Sequence, residues 1–329
     1  MKSARIRSIA SVLGSGKISS EEVASLTGSP ADFRRERLGI DSIRVATESE
    51  TPATMGVQAV EKLLQNNPLV SRDSINFLIF VTQNPDYLLP TTACLVQNKA
   101  KLPNNILAYD VNLGCSGYVL ALAQAKALIA SGMAKRGIIV TSDVYNRVID
   151  RTNRNTFGLF GDAAAATLIE ECDPEFGLGE FFYGSEGAGS DALIVRRGGS
   201  AHPQKNGSRE DFLHMDGKAV YKFVITVLPP AINAFLDKQH ITMANIDHWF
   251  FHQANKHMNG ELCRILNIPT EKAFFDILDV GNTVSATIPI ALERAQNNRI
   301  INGKRIVLCG FGVGLSWGGC SYNLQNETL

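Results

Sequence analysis

Three residues in this chain have the types and settings that acyl chemistry requires. Cys115 follows the apolar run 106–111 and precedes the helix-like run 116–130, so its sulfur is expected at a helix N-terminus, where the dipole favours thiolate. Gly114 and Gly117 flank it and leave room for a substrate carbonyl to meet sulfur and backbone N–H groups together. His252 closes the apolar run 248–251 and opens the polar turn 252–255, which leaves an imidazole at a strand tip. Asn282 sits in the turn 279–287 beside Gly281. Each residue also has a plainer reading. A free cysteine is usually a small hydrophobe, as Cys94, Cys172, Cys263, Cys309 and Cys320 are read here; a lone histidine often serves structure, and Gly-Asn is ordinary turn chemistry. Together the three suggest acyl transfer to a thiol, followed by stabilisation of negative charge on a second carbonyl oxygen. The same set would serve a thiol hydrolase in which His252 is the base of the thiol.

The elements that must position these residues repeat. The buried-strand pattern at Ile75 returns at Ile246, 171 residues later; Asp110, in a strand, small-residue turn and helix, matches Asp279, 169 residues on; and Ile138 matches Ile306, 168 residues on. A duplicated α/β unit follows, with halves 1–173 and 174–329 joined around 172–177 and a polar surface insertion over 198–212. The repeat predicts a strand over 274–280 to match the one over 106–111. In α/β sheets ligand chemistry gathers beyond the carboxyl ends of strands, and all three candidates fall at such ends.

Thirty-two Lys plus Arg balance thirty-two Asp plus Glu among 329 residues, so no global field draws the chain to nucleic acid or to an acidic membrane surface. No leader-like segment opens it and no run reads as a membrane span, so a cytoplasmic enzyme is expected. Six scattered cysteines with no CxxC pair support neither a disulfide framework nor a metal site.

On these residues the chain resembles β-ketoacyl-acyl carrier protein synthase III. The likeness is carried by DVNLGCSGYVLAL around Cys115, FGDAAAATL from Phe160, HQAN from His252, GNTVSATIPIAL from Gly281 and GFGVGLSWGG near the end. It implies a thiolase-like five-layered αβαβα fold, normally a homodimer, with Cys115 as nucleophile. His252 and Asn282 would hold the thioester carbonyl of a malonyl-carrier extender as carbon dioxide leaves. The backbone N–H groups of Cys115 and Val313 would form the acyl-enzyme oxyanion hole, although the family usually has glycine at the latter position.

The resemblance further assigns Phe33, Arg37, Arg154 and Asn255 to coenzyme A or phosphopantetheine, and Leu89 and Tyr221 to the acyl pocket, Leu89 at the position where a dimer partner closes it. Lys222, Lys256, His257 and Arg264 would dock an acidic acyl carrier protein. No bound cofactor is implied; acyl-coenzyme A or acyl-carrier thioesters are substrates. Phe33 replaces a family tryptophan and Asp41 a family arginine, which together weaken the nucleotide handle and favour a carrier-borne donor. Three other functions fit the same residues: an acyltransferase of this fold acting on an alcohol or amine, a thiol hydrolase, and a silent carrier-binding partner.

Overall fold

Two sheets carry the molecule, and in a computed structural model describing residues 2–301 and 305–324 they have corresponding layouts. The first runs in the order Ser3–Leu13, Ala163–Cys172, Arg136–Asp143, Phe77–Val81, Leu107–Val111. The second runs His248–Phe251, Arg305–Gly312, Ser316–Asn323, Gly177–Ser185. Phe77–Val81 pairs parallel with both neighbours and is buried throughout, as a strand covered on both faces must be. His248–Phe251 pairs parallel with Arg305–Gly312 in the same way, in register Phe251 to Cys309.

Between the sheets lie the helices Gly117–Ala130 and Thr287–Asn297. Val119, Leu122, Ile288 and Leu292 share one core with Ile79 and Val81 of the first sheet and Ile306 and Leu308 of the second. Gly117–Ala130 is apolar almost all round, which suits a helix packed between two sheets. Pro52–Gln65 and Thr92–Lys99 cover the outer face of the first sheet through Val60, Leu63 and Val96. Thr51 starts the former with a capping box closed by Thr54 and proline in the first turn. Gly217–Lys238 and Lys256–Ile265 cover the second sheet through Val224, Leu228 and Leu262. The layers are therefore αβαβα, as expected.

Two expectations need correction. The segment 274–280 is not a strand: Ala273 makes a single bridge to Trp249 and the Phe274 N–H bonds its carbonyl, after which the chain turns away. Asp276 and Asp279 are held by Arg294, and the Leu278 carbonyl takes the N–H groups of Asp41 and Ser42, so the backbone serves side contacts instead of a ladder. The other concerns membrane length. Gly217–Lys238, at 22 residues, is long and apolar enough to cross a bilayer. Its Val224, Leu228, Ile232 and Phe235 are buried against the second sheet, however, which accounts for the composition as a core face.

Candidate active site

Cys115 lies just before the helix Gly117–Ala130, in a turn closed by the Gly117 N–H to the Gly114 carbonyl. The strand Arg305–Gly312 passes so near that a Cβ on Gly310 would stand 2.5 Å from the Cys115 carbonyl oxygen, and one on Gly312 would stand 2.9 Å from the sulfur. Both positions must be glycine for the two halves to meet here. Ser116 Oγ and Ser316 Oγ, 2.8 Å apart, tie the turn to the second sheet.

The thiol is neutral in this setting. Burial, then the nearby Asp143 carboxylate, push its pKa up to about 12, against the opposing pull of the backbone N–H groups of Cys115 and Val313. The expected thiolate at a helix N-terminus is thus corrected: desolvation outweighs the dipole, because Cys115 is only 6% exposed. The two N–H groups that act on the sulfur are the pair assigned to the oxyanion hole. Val313 has a side chain where glycine is usual, and it packs toward Gly114, where a Cβ would meet Val313 Cγ1 at 3.0 Å.

His252 is anchored through its backbone. Its N–H donates to the Cys309 carbonyl, and its own carbonyl accepts from Ala254 N–H and Asn259 Nδ2. The ring is 2% exposed, and burial depresses its pKa to about 3, so it is neutral. Asn282 is placed by reciprocal backbone bonds, its N–H to the Leu159 carbonyl and its carbonyl to the Gly161 N–H. Gly281, at φ 74°, makes the turn into it. Val284 also has positive φ, 54°, rare for a β-branched residue. That conformation lets the Val284 N–H donate to Asn282 Oδ1 at 2.9 Å, which fixes the amide so that Nδ2 faces His252 Nε2, 3.4 Å away.

Cys115, His252 and Asn282 line one cavity of about 440 Å³ that opens past half-exposed Phe33. Arg37, Lys218, Tyr221, Asn255 and His257 also line it, with Tyr221 and His257 stacked at 5.8 Å. The Asn255 side chain caps the helix Lys256–Ile265 by accepting from the Met258 N–H. Other assigned residues lie elsewhere. Lys222 and Lys256 are not among the lining residues; the Lys256 side chain packs on Gly39. Arg264 is engaged by Glu261, and Arg154 lines a separate cavity with Arg209 and His214. Leu89, 86% exposed, is outside the cavity of its own chain. Asp41 is paired with Arg35 at 2.7 Å, an arginine it shares with Glu21 and Asp32, so the cluster stays net negative, and Asp41 is absent from the lining.

Sequence reasoning missed Asp143, Tyr145 and Gln83. Asp143 is fully buried, accepts from Gln83 N–H, Thr82 Oγ1 and Ser285 Oγ, and is raised to about 6 by burial against those donors. It joins the turn after Phe77–Val81 to the loop that carries Asn282. The Tyr145 hydroxyl donates to Gln83 Oε1 at 2.7 Å, and that amide oxygen sits against Gly114. A carboxylate closing an otherwise apolar strand was the one signal available for Asp143.

A thiol, two backbone donors aimed at it and a second pair of side-chain nitrogens in the same cavity, held between two duplicated sheets, define a thiolase-fold acyl-transferring enzyme. Residues 109–187 match the family model for 3-oxoacyl-[acyl-carrier-protein (ACP)] synthase III, and 236–324 the model for its C-terminal part. The chain is 31% identical to the β-ketoacyl-[acyl-carrier-protein] synthase III of Lactococcus lactis subsp. lactis, over 98% of this chain and all of that one. It is 33% identical to that of Fusobacterium nucleatum, over 87% and 88%. A crystal structure of a 3-oxoacyl-(acyl-carrier-protein) synthase III superposes with TM-score 0.94 at 35% identity, covering 98% of this chain and 100% of that one. OleA of Xanthomonas campestris, 18% identical with TM-score 0.84 over 98% of each chain, shares the fold. The chain belongs to the β-ketoacyl-[acyl-carrier-protein] synthase III family.

Proposed function

We propose that this enzyme loads an acyl primer on Cys115 and condenses it with malonyl-acyl carrier protein, releasing carbon dioxide and a β-ketoacyl-carrier. The observation that carries the reading is the presence, in one cavity, of two separate donor sets. Backbone N–H groups of Cys115 and Val313 act on the sulfur, and Nε2 of His252 and Nδ2 of Asn282 lie 3.4 Å apart. A thiol hydrolase would use His252 as a base beside the first set; a decarboxylating condensation uses His252 and Asn282 together as the second.

In the first step the Cys115 sulfur attacks the primer thioester carbonyl, the oxyanion is held by the two backbone N–H groups, and the donor thiol leaves with the proton given up by Cys115. A thiol raised to about 12 is a weak nucleophile, so proton loss accompanies attack. In the second step the malonyl thioester carbonyl receives hydrogen bonds from His252 and Asn282. The bond to the carboxylate breaks, its electron pair forms the enolate, and the enolate carbon attacks acyl-Cys115. The Cys115 sulfur departs and is reprotonated.

The donor is read as carrier-borne, with coenzyme A thioesters as weaker alternatives, because Phe33 offers a smaller stacking face than tryptophan. We read the working enzyme as a cytoplasmic homodimer without a resident cofactor, its halves dividing near 173, in which exposed Leu89 reaches the partner's pocket. His257 and Lys218 at the rim suit an acidic carrier better than Arg264, whose charge is shared with Glu261. Intact mass after exposure to acyl-coenzyme A and acyl-carrier donors tests the loading step. An adduct lost in Cys115→Ala is expected; an adduct that persists in that variant contradicts it.

A further inference from the structure

The neutral His252 ring has one proton, and only the form protonated at Nε2 can donate to a carbonyl oxygen in the cavity. What the other nitrogen meets decides the form. Nδ1 lies 2.8 Å from Thr287 Oγ1, in a contact buried from solvent. The same hydroxyl lies 3.1 Å from the Val284 carbonyl, which also borders the ring.

Two placements of hydrogen compete. In the first, Nδ1 carries the proton and gives it to Thr287 or the Val284 carbonyl, the hydroxyl donates to Val284, and Asn282 Nδ2 donates to a bare Nε2. In the second, the hydroxyl donates to Nδ1, and Nε2–H and Asn282 Nδ2–H both face the cavity. The Thr287 contacts fit either placement; the separation between the two side-chain nitrogens favours the second. The Nδ2 to Nε2 separation of 3.4 Å is long for a hydrogen bond between them. It suits two donors converging on one oxygen. The Asn282 amide cannot turn to offer its oxygen instead, since the Val284 N–H already holds Oδ1.

We propose that Thr287 is a positioning residue whose hydroxyl donates to Nδ1 of His252 and thereby keeps the proton on Nε2. Without that hydroxyl the Val284 carbonyl captures an Nδ1 proton and the cavity loses one of its two side-chain donors. The inference rests on the reading of His252 and Asn282 as donors to the malonyl thioester. It also gives the strained Val284 a purpose, because one residue orients Asn282 through its N–H and supplies the rival acceptor through its carbonyl.

The test uses the full-length enzyme labelled with ¹⁵N-histidine, in wild type, Thr287→Val and Thr287→Ser, with the His252 signals identified by their loss in His252→Gln. Protonated and bare ring nitrogens have well-separated ¹⁵N resonances and distinct couplings to the ring protons. Wild type and Thr287→Ser are expected at Nε2–H, and Thr287→Val at Nδ1–H. Carbon dioxide release from malonyl-carrier should fall about 10²-fold in Thr287→Val, the cost of one lost oxyanion donor, and return in Thr287→Ser. A wild-type ring protonated at Nδ1, or a valine variant that keeps Nε2–H, overturns the proposal. Should Thr287→Val fail to fold, the wild-type spectrum decides. If the tautomers behave as stated while no form of the enzyme releases carbon dioxide, the role of Thr287 stands and the condensing function fails.

Discussion

Gly312 and Cys115 face each other across the two halves of the chain at a distance that admits no side chain between them. A Cβ on Gly312 would lie 2.8 Å from Cys115 Cβ and 2.9 Å from its sulfur.

That contact predicts the effect of the smallest substitution. Gly312→Ala must push the Cys115 sulfur away from the Cys115 and Val313 N–H groups. A displacement of about 1 Å at a reacting centre costs on the order of 10²-fold in rate. Acylation of Cys115, followed by intact mass, should fall by that amount while the far-ultraviolet dichroism is unchanged. Acylation at the wild-type rate would show that the sulfur has another working position.

The buried His252 ring predicts an acid-labile fold. Its folded pKa is depressed to about 3 from 6.5, so the stability of the neutral ring is fully present above 6.5 and is lost as pH falls toward 3. Asp143 works oppositely: raised to about 6 from 3.8, its contribution is present below 3.8 and lost as pH rises through 6. His252→Gln removes only the first effect. Relative to wild type it should gain about 3 kcal/mol between pH 7 and pH 4, at ~1.36 kcal/mol per pH unit below 6.5. Urea unfolding at the two pH values measures the gain; equal pH dependence in both proteins would mean that the ring titrates normally.

Phe33 bears on the donor. It lines the entrance and is half exposed, so it is placed to stack on a flat ring. Asp41 does not line the cavity, so among the two replaced residues only Phe33 stands at the entrance. Wild type should acylate from acyl-carrier with higher kcat/KM than from the matching acyl-coenzyme A. Phe33→Trp should raise the coenzyme A value by a part of the roughly 0.5–1.5 kcal/mol that a whole aromatic stack is worth, and leave the carrier value alone. Equal gains with both donors would remove Phe33 from adenine recognition.

The sheets were legible because buried strands carry dense apolar runs, and the runs at Ile75 and Ile246 recur at nearly constant offset. The segment 274–280 has the same apolar look and fails as a strand, since its aspartates answer Arg294 on the following helix, a pairing that the apolar pattern does not reveal. Cys115, His252 and Asn282 stood out because each ends an apolar run at a turn. Thr287 and Asp143 did not: a threonine at a helix start and an aspartate at a strand end are common, and only the packed structure puts them against His252 and Ser285. The neutrality of Cys115 is not legible in the sequence, because the helix N-terminus is visible there whereas the burial that outweighs it is not.

If two donor sets serve two chemical steps, single-turnover release of carbon dioxide from labelled malonyl-carrier separates them. Acyl-loaded wild type, His252→Ala and Asn282→Ala are compared after each has been shown by mass to carry the acyl group on Cys115. Both variants should load, and each should release carbon dioxide about 10²–10³-fold more slowly than wild type. Release at the wild-type rate from both loaded variants would contradict the account and leave an acyl transfer that needs only the Cys115 side of the cavity.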